Sequence, residues 1–125
     1  MHHLELDRAY AEIARVLKPG GRAFFMEPMY YHPLVRLVRR LTPGLRSPSE
    51  KPLEFADIER ARRWFRKVSH REHFLLAVCM APTALLGRRT ALAMINLVDR
   101  FDRGLMRLAP PLRKLAWLTM LEMEK

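Results

Sequence analysis

A helix breaker set directly against a run of aromatic residues constrains this chain more than any other feature. At Leu17-Lys18-Pro19-Gly20-Gly21 a proline precedes two glycines, and Arg22-Ala23-Phe24-Phe25-Met26-Glu27 follows at once. Proline cannot extend a helical ladder and glycine accepts positive φ, so a preceding helix must stop and reverse there. Six residues with little polarity on either face predict a strand buried on both sides, as in a parallel sheet. Upstream, Leu6 to Leu17 predicts a helix, with Ala9, Tyr10, Ile13, Ala14, Val16 and Leu17 on one broad face and Arg8, Glu12 and Arg15 opposite. Glu5 and Asp7 suit the positive end of its dipole. Helix, tight turn and buried strand form the second half of a βαβ unit, whose first strand would lie before Met1.

The remaining chain alternates in the same way. Pro33 to Leu41 predicts a short helix with Pro33 as its first residue. Thr42 to Pro52, with three prolines, a glycine and two serines, predicts an irregular connection. Ala56 to Lys67 predicts a helix with Ile58, Ala61, Trp64 and Phe65 on its apolar side, and Val68 to Val78 predicts extended chain. From Thr90 to Leu108 a longer amphipathic helix is expected, striped by Ala91, Met94, Ile95, Val98, Phe101, Leu105 and Leu108, with Asp99 and Arg103 as an exposed pair. Pro110-Pro111 ends it, and Leu115 to Glu122 predicts a terminal strand. The fold class is α/β.

Composition narrows the biology. A chain of 125 residues is about one domain, and 50% apolar with 29% charged residues suits a packed core. The longest stretch free of charge and histidine, Phe74 to Gly87, spans 14 residues, whereas a membrane crossing needs about 20. No secretory signal is visible, and the lone Cys79 excludes an internal disulfide, so a cytoplasmic protein without a membrane span is expected. The net charge of +10 is uneven: Pro33 to Arg71 holds eleven basic and four acidic residues. Such a surplus attracts phosphates, acidic surfaces or anionic lipid. Trp64 and Phe65 fall on the apolar side of their helix, which leaves a solvated basic side, so neither nucleic acid nor an anionic membrane is the expected partner.

Met1-His2-His3-Leu4 followed by Ile13-Ala14-Arg15-Val16-Leu17-Lys18-Pro19-Gly20-Gly21-Arg22 resembles the class I S-adenosylmethionine-dependent methyltransferases, nearest to their small-molecule group. The likeness is specific over residues 1–28 and architectural afterwards. It implies that Arg22 to Glu27 is the fifth strand of a Rossmann-like sheet. The segments near Val68 and from Leu115 would be the sixth and seventh, with strands five, seven and six side by side. Residues 29–114 would be substrate-side helices and an insert, and 115–125 the last strand.

The resemblance also places the cofactor-binding half, with its glycine-rich loop, upstream of Met1. Gly20, Gly21, Gly44, Gly87 and Gly104 contain no G-x-G pair. A partial Rossmann-like methyltransferase fold is therefore expected, its fifth strand exposing an edge for self-association or for a separate N-terminal half. S-adenosylmethionine would serve the complete domain and bind this chain only weakly. The implied function is methyl transfer to a small, hydrophobic acceptor. The alternatives are a non-catalytic remnant, a partner subunit of a split enzyme, or a basic adaptor for acidic partners.

Candidate substrate contacts are His2 and His3, which carry the family signal, and Glu27, Tyr30 and Tyr31 with His32 after them. Glu27 ends a parallel-type strand, where open α/β sheets place their ligands. His70, His73 and Cys79 do not make a metal site, since extended residues three apart point to opposite faces and no second cysteine supports zinc. Cys79 reads as a small core residue.

Overall fold

The computed structural model describes residues 5–45 and 51–125. Its helices are α1 (Leu6–Val16), α2 (Pro33–Leu41), α3 (Phe55–Arg60) and α4 (Arg88–Leu108). Its strands are β1 (Arg22–Pro28), β2 (Lys67–His73) and β3 (Leu118–Glu124). Short 3-10 helices occupy Pro43–Leu45, Ala61–Arg63, Ala77–Leu86 and Pro110–Leu115. The strands form one sheet in the order β1-β3-β2, with β3 antiparallel to both neighbours. β1 and β2 thus run in the same direction and end at the same edge of the sheet.

The turn before β1 follows from its sequence. Gly20 adopts φ +74°, and a Cβ on Gly21 would meet the Lys18 carbonyl oxygen at 2.8 Å. The last residue fastens this turn to β3: the Gly20 amide donates to the Lys125 carbonyl at 3.0 Å, the Lys125 amide to Gly21 at 3.0 Å, and Lys125 Nζ to the Leu17 carbonyl at 2.9 Å.

A period of two divides each strand between a covered and an open face. Val68, Leu121 and Met123 face the core, where Tyr10 and Ala14 of α1, Ile58 of α3, and Ala61, Phe65, Met29 and Leu53 bury them. Leu75, Met106 and Ala116 make a smaller second cluster beneath α4. On the open face Phe24 is 61% exposed and Met26 58%.

Several sequence expectations are corrected here. β1 is neither parallel to its neighbour nor buried on both sides, because the elements that cover the sheet bury only one of its faces. Its open face is held by charge instead: Arg22 pairs with Glu122 at 3.1 Å and with Glu124 at 3.2 Å, and Arg66 also pairs with Glu124. The extended stretch expected to reach Val78 ends at His73, since Phe74 takes φ +63° and a 3-10 helix begins at Ala77. The helix expected to reach Lys67 gives way to a 3-10 turn after Arg60, and the strand expected from Leu115 begins at Leu118, after a 3-10 helix that takes in Leu115. Val16, expected on the apolar face of α1, is exposed at the end of that helix.

α4 is also turned differently from its expected stripe. Asp99 is buried rather than exposed, whereas Phe101 and Leu108 are exposed. The reason is backbone hydrogen bonding. Asp102 accepts from the amides of Leu76 (2.8 Å) and Ala77 (2.9 Å), and Asp99 accepts from that of Phe74 at 3.4 Å. Buried donors require acceptors, and these aspartates supply them. Asp99 also binds Arg103 and lies 3.4 Å from His73 Nδ1. Cys79, expected in the core, is exposed.

Candidate functional site

Because β1 and β2 end at one edge, the loops after them, Met29 to His32 and Phe74 to Leu76, come together there. His32 joins the two. Its Nδ1 accepts from the Val35 amide at 3.3 Å and so caps α2, which leaves the proton on Nε2, 2.8 Å from the Leu75 carbonyl. Leu53 closes the other flank: its amide donates to the Pro28 carbonyl at 2.9 Å and its carbonyl accepts from Tyr30 at 3.0 Å.

Glu27, Thr119 and Glu72 stand in one row across the covered face, since register pairs Thr119 with both glutamates. All three are buried, and Thr119 Oγ1 has no hydrogen-bond partner among the described residues. Tyr10 lies near this row and donates from its hydroxyl to the Asp57 carbonyl at 3.1 Å. Burial first, then the Asp57 and Glu27 charges, push its pKa up to about 12.

Tyr30 and Tyr31 meet edge to face with centroids 5.4 Å apart. The Tyr31 hydroxyl donates to Glu54 at 3.0 Å, which raises its pKa, and the Arg36 guanidinium lies 5.1 Å from the Tyr30 ring centroid. Tyr30, Arg36, Arg39 and Arg40 line a shallow recess of about 260 Å³.

A larger cavity of about 610 Å³ lies between β2, α4 and the 3-10 helix Pro110–Leu115. Arg71, Arg103, Arg107 and Arg113 line it with Met106, Met120 and the residues His70, Glu72 and His73. Arg103 is already paired with Asp99, which leaves Arg71, Arg107 and Arg113 against Glu72, so the cavity favours an anion with some apolar body. Glu72 binds His70 Nδ1. Burial alone would raise the Glu72 pKa, but the bond to His70 and its charge bring it below its usual value. That same bond outweighs desolvation and raises the pKa of His70.

Among the residues singled out from sequence, Tyr30 and Tyr31 come together at the strand-end edge, while Glu27 points into the core toward Tyr10. His2 and His3 lie outside the described residues. His70 and His73 do fall on opposite faces of β2, and no group of three metal-ligating side chains forms among the described residues. Sequence reasoning missed Thr119, His32 as the tie between loops, and the arginine-lined cavity. His32 had a local signal, a capping residue before Pro33 at a helix start. Thr119 had none, since its place depends on strand pairing across the sheet, and the cavity had none, since it depends on how α4 and the 3-10 helix Pro110–Leu115 pack beside β2.

The described residues do not by themselves fit S-adenosylmethionine. A nucleoside needs a glycine loop after a strand, whereas Gly20 and Gly21 serve the reversal before β1. No family model, curated protein or solved structure matches the chain. The chain is a mixed helix-and-sheet protein, and no helix among its described residues is long and apolar enough to cross a membrane.

Proposed function

We propose that this chain forms strands five to seven of a class I S-adenosylmethionine-dependent methyltransferase domain, a partial Rossmann-like sheet carrying the acceptor side of the site. One observation carries the reading: a helix and a Leu-Lys-Pro-Gly-Gly turn lead into a sheet ordered β1-β3-β2. That is the five-seven-six order the resemblance implies. The acceptor is a small molecule joining an anionic group to an apolar body, taken by the arginines and by Met106 and Met120 of the larger cavity. Alignment of reactants is the main contribution of a protein to such a transfer.

The cofactor would be held by strands that pair with the free side of β1. Gly21 and Met29 hydrogen-bond to the β3 side, so alternation turns the backbone of Phe24 and Met26 outward, where no strand pairs with them among the described residues. A preceding strand, from the same polypeptide or from a separately encoded half, would add there.

Calorimetry with S-adenosylmethionine tests the reading. The 125 residues alone should give no saturable heat, and a polypeptide extended by the sequence encoded upstream of Met1 should bind one to one. Tight binding by the chain alone, or no binding once the chain is joined by an N-terminal half bearing a strand and G-x-G loop, would overturn it.

A further inference from the structure

We propose that α4 and the 3-10 helix Ala77–Leu86 form a face that docks on the surface of an anionic lipid bilayer without crossing it. At about 3.6 residues per turn, Met94, Leu97, Phe101 and Leu108 share one third of the α4 circumference. They point away from the protein: Leu108 is 86% exposed and Phe101 63%, while Leu85, near the end of the 3-10 helix that packs on α4, is 92% exposed. Such a continuous apolar stripe on a charged protein marks an interaction surface.

Charge identifies the partner. From Phe74 to Leu121 the chain holds seven arginines and lysines and two acids, Asp99 and Asp102. Both acids are buried against backbone amides, so this segment shows solvent no carboxylate. Arg89, Arg100 and Arg107 flank the apolar stripe and are exposed. Apolar side chains beside a row of arginines are the pattern of helices that lie in a membrane interface, with the cations at the level of anionic headgroups. A second copy fits poorly, because a two-fold contact on this face would set arginines against arginines with no acid between them. Nucleic acid would satisfy the arginines but would leave Leu97 and Leu108 without partners. α2 repeats the pattern. It buries no residue, exposes Leu34, Leu37, Val38 and Leu41, and carries Arg36, Arg39 and Arg40. The His32 bond to Leu75 sets its start beside the same 3-10 helix.

The face stands whether or not the chain belongs to a methyltransferase. The test is sedimentation of the full chain with phosphatidylcholine vesicles, with and without phosphatidylserine. Binding is expected to the phosphatidylserine vesicles and to be released by salt. Phe101→Ser or Leu97→Ser should weaken it about tenfold, as loss of one buried apolar side chain does. Arg100→Glu should weaken it by about tenfold or more, whereas Arg8→Glu on α1, an equal change in net charge, should stay within about twofold. Far-ultraviolet circular dichroism checks that these surface variants fold, and either the serine or the glutamate series decides the outcome. No sedimentation with phosphatidylserine vesicles overturns the proposal. So does equal binding to both vesicles that ignores Arg100→Glu. A dimer that Phe101→Ser breaks, without vesicle binding, would assign the face to a second copy instead.

Discussion

Replacing Asp102 by alanine should unfasten the 3-10 helix Ala77–Leu86 from α4. The carboxylate is fully buried and holds two amides through Oδ2, those of Leu76 at 2.8 Å and Ala77 at 2.9 Å. Hydrogen bonds to a charged acceptor contribute about 1.5–3 kcal/mol each. The Leu76 side is partly open, so water replaces some of its loss, and the two bonds together are worth about 3–4 kcal/mol. Against this stands the cost of burying Oδ1 without a partner, which the substitution relieves by about 1 kcal/mol. The net loss of about 2–3 kcal/mol is a large share of the roughly 5–15 kcal/mol typical of a domain. An asparagine in its place would keep an acceptor for both amides but lose the charge, and Asp102→Asn should cost about 1 kcal/mol. Urea unfolding followed by circular dichroism measures both variants, and amide exchange at Leu76 and Ala77 should speed up in each. An alanine variant within about 0.5 kcal/mol of wild type, the ordinary range of a surface change, refutes the capping role. An asparagine variant as damaged as alanine refutes the hydrogen-bond account.

Three further outcomes are expected. Gly20→Ala should lower stability by about 1 kcal/mol because of its positive φ, and Gly21→Ala by more because its Cβ would meet the Lys18 backbone; thermal melts should rank them in that order. Tyr10→Phe should cost about 1 kcal/mol for the lost bond to Asp57 and should remove the last step, near pH 12, from an ultraviolet titration of the tyrosines. The raised Tyr10 pKa favours the neutral form when folded, so its contribution is complete below pH 10.0 and disappears between there and about 12. For the His70–Glu72 pair, the stability due to His70 is complete below 6.5 and lost as pH rises through its raised pKa, whereas that due to Glu72 is present above 4.5 and lost as pH falls. The difference between wild type and His70→Gln should therefore be greatest between those values, and a flat difference across pH would count against the pair.

Local chemistry was legible in the order of residues alone. α1, the Pro-Gly-Gly reversal, β1, the start of α2 at Pro33 and the terminal strand all rest on proline, glycine and short-range periodicity, which act within a few residues. The adjacency of Tyr30 and Tyr31 was legible for the same reason, and so was the placement of His70 and His73 on opposite faces of β2.

Faces and partners were not legible, because hydrophobic periodicity shows that a stripe exists but not which way it turns. The stripe on α4 reads as core in sequence, yet unpaired amides at Phe74, Leu76 and Ala77 draw Asp99 and Asp102 inward and leave Phe101 and Leu108 outside. The row of Glu27, Thr119 and Glu72 arises only when β3 enters between β1 and β2, and the four arginines meet around one cavity only when α4 and the 3-10 helix Pro110–Leu115 pack beside β2. Sequence therefore determined the stop and reversal at Pro19-Gly20-Gly21 and the start of α2 at Pro33, since chain stereochemistry is local. Tertiary structure decided which surfaces are buried, because buried backbone donors must find acceptors wherever the chain can bring them.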